Sequence, residues 1–159
     1  MINEDEIKKT IKNINLCWIF NLSSLFVLIL IAYRLKTSND IKSEETYSTL
    51  KIIRIVFYCL TVLILILSKF LKKVFINSIK NKSIKIGTTQ NMILQKYVNA
   101  IIVILGLIQG IGMAGFILYI ISSNKNDLYI FIIISTVALL LNHPRKEEVL
   151  NLIQNNTIS

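Results

Sequence analysis

The residues of this 159-residue chain that are able to do acid–base, nucleophilic or metal chemistry are few and scattered. His143 is the only imidazole, and a lone histidine makes a poor metal site. Cys17 and Cys59 fall at different depths of two apolar blocks, so neither a disulfide nor a thiol-oxidase pair is expected. Four of the five glycines lie within one apolar block and none precedes Lys-Ser or Lys-Thr, which excludes a phosphate-cradling loop. All nine acids, Glu4, Asp5, Glu6, Asp40, Glu44, Glu45, Asp127, Glu147 and Glu148, read as tail and loop residues. No carboxylate is then left inside an apolar block to carry a proton or a sodium ion. The chain reads as non-enzymatic, with no catalytic residue, cofactor or metal.

What remains is neutral polarity. Ser24, Thr61, Gln109, Ser135 and Thr136 each stand about 7 to 11 residues from the end of an apolar block, hence at similar depth for helices rising about 1.5 Å per residue. Such a layer either lines a narrow hydrophilic path or joins helices through hydrogen bonds worth roughly 0.6 kcal/mol each. Asn21 and Ser23 suit the same joining role. Gln109 stands out, because a long amide in hydrocarbon must find partners or leave its donors unsatisfied. It sits in GLIQGIGMAGFILYI, where Gly106, Gly110 and Ala114 recur every fourth residue. That small-xxx-small stripe permits close backbone approach by another helix of the chain or of a second subunit. These fifteen residues resemble the ion-carrying helix of rotary-ATPase proteolipids. The resemblance implies a carboxylate where Gln109 stands and a close glycine repeat in the first apolar block, and this chain has neither, so the family is set aside.

The elements that must position these residues follow from composition. Hydrophobic side chains make up 53% of the chain and charged ones 17%, against about 25% in soluble domains, and the apolar residues gather into blocks of near-bilayer length. The blocks cover about 15–35, 52–71, 98–121 and 128–142. The expected fold is all-α: an integral membrane four-helix bundle of two transmembrane hairpins, with short amphipathic helices at the termini and a basic cytoplasmic loop over 72–97. The first block is too long for a signal peptide and has no small-x-small cleavage site after it. The fourth is the shortest, and a thin spanning helix is expected there in preference to a re-entrant segment.

Orientation follows from the cations. The N-terminal tail, the second loop with its flanks, and the C-terminal tail together hold twelve of the eighteen Lys and Arg, which places both termini in the cytoplasm of a multi-pass protein of the cell membrane. Asn3 and Glu6 are spaced like a capping box, and Ile7, Ile11 and Ile14 repeat along one side, so the N-terminus reads as an amphipathic lead-in to the first span. Val149, Leu150, Leu152 and Ile153 give the C-terminal segment an apolar side, with Asn142 or His143 as its cap and Pro144 in its first turn. The net charge is +9, without the interleaved aromatics of a nucleic-acid surface. Lys72, Lys73, Lys80, Lys82 and Lys85 are instead expected to face anionic lipid headgroups. The function expected is that of an accessory or assembly subunit of a larger membrane complex. The alternative is a self-associating channel or transporter built on the layer around Gln109.

Overall fold

The computed structural model describes residues 4–35, 44–86 and 90–157, with side chains described over 5–35, 48–79 and 91–153. Five helices follow one another: α1 Glu4–Arg34, α2 Glu44–Ile86, α3 Gln90–Ser122, α4 Lys125–Leu141 and α5 Lys146–Thr157. Among the described residues there is no strand. Three helices are long and apolar enough to cross a membrane, and a fourth joins them if α4 and α5 count as one bent span.

The N-terminal lead-in is one unbroken helix with the first apolar block, and the basic segment that begins at Lys72 is helical to Ile86 as a continuation of α2. No glycine or proline lies within the 43 residues of α2, so the strongest helix breakers are absent from its hydrogen-bond ladder. Asn3, one half of the expected capping box, lies outside the described residues, as do residues 87–89.

Helix α3 is the centre. Half of its most apolar stretch is buried, against 11% in α1 and in α2, and it packs on α1, α2 and α4. Ile101, Ile104, Leu105 and Ile108 occupy the core at helical spacing. Helices α3 and α4 form a tight hairpin. Ser123 adopts a left-handed φ of 56°, and the Asn124 side chain caps α4 by accepting from the Asn126 N–H. Helices α1 and α2 pack on α3 far more than on each other, so the expected first hairpin is a pair of flanking helices.

The α3 glycines divide sharply. A methyl group at Gly112 would collide with Leu25 of α1, and one at Gly115 with Phe131 of α4. At Gly106 and Gly110 it would meet nothing within 4 Å. Within the chain, close helix approach therefore uses Gly112 and Gly115 and leaves Gly106 and Gly110 open, while Ala114 packs against a cluster of Ile111, Leu118 and Phe131.

Helix α4 ends where Asn142 folds its amide back onto the Ala138 carbonyl, ahead of Pro144. Pro144 precedes α5 instead of entering its first turn, and the two helices meet at 43°. Val149, Leu152 and Ile153 of α5 are buried in one cluster with Ile7, Ile14, Ile93, Leu94 and Tyr97, so both amphipathic ends close against the start of α3.

Candidate functional site

The expected polar layer does not converge. Gln109 Nε2 donates to Ser24 Oγ at 2.6 Å, joining α3 to α1, and Ser135 Oγ donates to the Ile108 carbonyl at 2.8 Å, joining α4 to α3. Thr61 is buried but donates to Phe57 of its own helix, and Asn21 and Ser23 likewise bond one turn back. Those three side chains satisfy themselves locally and link no helices. Thr136 lies on a shallow groove between α1 and α4, beside Leu25 and Ile29. The Oε1 atom of Gln109 is buried without a hydrogen-bond partner among the described residues.

Charge gathers at the two ends. At one end Asp127 is buried in the first turn of α4 with its Oδ2 2.8 Å from Arg54 Nε of α2, an ion contact that is off the line of a hydrogen bond. Tyr58 donates to its Oδ1 at 3.3 Å and Ser122 to its Oδ2 at 3.4 Å. This corrects the expectation that every acid sits in a tail or loop. Only the packing of α2 beside α4 shows that Arg54, 73 positions earlier in the chain, neutralises Asp127. Nearby, Tyr119 donates to the carbonyls of Ala32 and Leu35, which α1 leaves unpaired as it ends.

At the other end the C-terminal helix is tied in through Glu148. Its two oxygens take Lys72 Nζ of α2 at 2.9 Å and the Tyr97 hydroxyl of α3 at 3.1 Å. Trp18 of α1 donates to the Leu139 carbonyl at 2.9 Å and meets the His143 ring edge-on at 4.9 Å, so the one histidine serves as a packing partner of the one tryptophan.

The same end holds an open groove of about 410 Å³ walled by Lys69, Lys72, Lys73, Ile76, Asn77, Leu141 and Asn142. Of the five lysines expected at a headgroup surface, Lys72 and Lys73 stand here. The side chains of Lys80, Lys82 and Lys85 lie outside the described residues. Lys69 and Asn142 belong to the groove although no sequence pattern had grouped them. Their only signal was the position of each at the end of an apolar block. Among the described residues no group of three or more His, Cys, Asp or Glu side chains could hold a metal, and Cys17 and Cys59 are free thiols.

No known family model, curated protein or solved structure matches the chain.

Proposed function

We propose that this chain is an integral membrane protein whose four apolar helices cross the bilayer with both termini in the cytoplasm. Its role is non-enzymatic, that of an accessory or assembly subunit of a larger membrane complex. The outer faces of α1 and α2 support the membrane setting: Phe20, Leu30, Ile66 and Phe70 are each more than 60% exposed, and apolar surface on that scale is stable against lipid or protein but not water. The uneven distribution of cations supports the orientation.

The observation that carries the subunit role is the open side of α3. The central helix α3 still leaves the space beside Gly106 and Gly110 empty to 4 Å, and Val103, Met113 and Ile117 extend that side as exposed apolar residues at helical spacing. A second helix fits there at close backbone distance. Gly110→Leu is therefore expected to abolish co-purification of the partner from native membranes, with Gln109→Leu mild. Unchanged association in Gly110→Leu sinks this reading. A reporter fused after Ser159 that is active only outside the cell sinks the orientation.

The rival reading, a self-associating channel or transporter, draws support from the buried, unpaired Oε1 of Gln109, which a polar solute would satisfy. Reconstituted flux abolished by Gln109→Leu would favour it. The bonds that Ser24 and Ser135 make between helices, and that Thr61 makes within its own, favour the subunit role, because they occupy those hydroxyls inside the protein.

A further inference from the structure

The basic groove on α2 continues into an apolar one. Below Lys69, Leu141 and Asn142, which line both, the space between α2 and α4 extends for about 280 Å³ along Leu65, Ile133, Ile134 and Val137. We propose that this continuous groove binds one anionic phospholipid, with its phosphate on Lys69 and Lys73 and one acyl chain laid between α2 and α4. The inference rests on the membrane setting proposed above, but not on the open side of α3.

Three features select this occupant. The first is charge. Lys72 is held by Glu148, whereas Lys69 and Lys73 have no acidic partner among the described residues, and no acid lines the groove. Two free ammonium groups one helical turn apart suit a phosphate, and the absence of a carboxylate leaves nothing to attract the cationic part of a zwitterionic headgroup. The second is the apolar floor. An inorganic or sugar phosphate would use the lysines alone, and an acidic protein segment would leave the apolar walls unmatched, whereas a lipid uses both parts at once. Ser68, the polar residue within the apolar part, is already bonded to the Leu65 carbonyl and does not disturb it.

The third is length. From Ile133 to Leu141 the α4 wall rises about 12 Å at 1.5 Å per residue, close to the roughly 15 Å of hydrocarbon in one leaflet. The lysines then stand where that leaflet's headgroups begin. Snorkelling lets their stems lie along the apolar wall while the ammonium groups meet the phosphate.

The test is native mass spectrometry of the delipidated full-length protein in detergent, titrated with phosphatidylglycerol and, separately, phosphatidylcholine. One phosphatidylglycerol is expected to bind in preference to phosphatidylcholine. The double variant Lys69→Gln/Lys73→Gln should bind it about ten- to thirty-fold more weakly, at roughly 1 kcal/mol per lysine. Val137→Trp, which fills the apolar part, should weaken both lipids, and excess glycerol 3-phosphate should displace neither. Lys8→Gln/Lys12→Gln removes two cations elsewhere and should leave binding unchanged.

Equal binding by the groove double variant and the unaltered protein overturns the proposal. So does an equal loss in the Lys8/Lys12 control, which would mean diffuse surface charge, or displacement by glycerol 3-phosphate, which would mean an anion site that needs no acyl chain. Release of the protein from native membranes by alkaline carbonate would overturn the membrane setting itself. The lipid site can fail while the protein remains embedded, so the two failures are distinguishable.

Discussion

The two ends of the apolar stretch of α2 solve the same electrostatic problem in opposite ways. At the Arg54 end a cation near the apolar stretch is matched by the buried Asp127, with Tyr58 and Ser122 taking up further lone pairs of the carboxylate. At the Lys69 end one acid, Glu148, faces Lys72, while Lys69 and Lys73 have no acidic partner among the described residues. The first end is closed on itself and is a structural joint between α2 and α4. The second carries surplus charge beside an open groove and is built to meet something else. A charged residue near a membrane helix thus has no fixed meaning until its neighbours are counted.

The comparison can be broken most sharply at Asp127. Asp127→Ala leaves Arg54 without its counter-charge, and stability is expected to fall by about 3 kcal/mol, the low end for a broken buried pair because Arg54 stays partly exposed. Denaturant unfolding in detergent measures it, and replacing both residues, as Arg54→Met with Asp127→Leu, should recover most of the loss. A single variant as stable as the unaltered protein would show the joint to be idle.

At the other end Glu148→Gln sharpens the contrast. It weakens the tie between α5, Lys72 and Tyr97, costing about 1 kcal/mol, and frees a third cation, so phosphatidylglycerol should bind roughly five-fold more tightly. Tighter lipid binding with lower stability is the diagnostic combination. Lys73→Gln has the smallest expected effect on folding, within about 0.5 kcal/mol, and is seen only in lipid binding.

A parallel contrast runs along α3. Gly112→Leu is expected to cost about 2 kcal/mol through its collision with Leu25, whereas Gly106→Leu should leave the isolated protein as stable as before. If both cost the same, the open side of α3 is not open.

Much of this was legible in the chain. The apolar blocks, the amphipathic stripe Ile7, Ile11 and Ile14, and the apolar side of the C-terminal helix each depend on spacing within one segment, and spacing is written in the sequence. The importance of the third block was legible from its glycines, although which glycines make contact was not. Gly106, Gly110 and Ala114 formed the better pattern, yet Gly112 and Gly115 face Leu25 and Phe131. Periodicity says that a helix can be approached closely on one side, and only the placement of α1 and α4 says which side is used.

By itself, then, the sequence determined the all-helical character, the presence of several long apolar helices and the asymmetry of charge, because hydrophobic length and helical period are local properties. Only the tertiary structure decided that Asp127 belongs to Arg54, that Glu148 belongs to Lys72 and Tyr97, and that Lys69 and Lys73, without an acidic partner among the described residues, stand beside an apolar groove. Those pairings join residues 51 to 76 positions apart, and which side chain meets which depends on how whole helices rotate and slide against α3. No local pattern encodes that, because the energy choosing among rotations comes from the packing of all the faces at once.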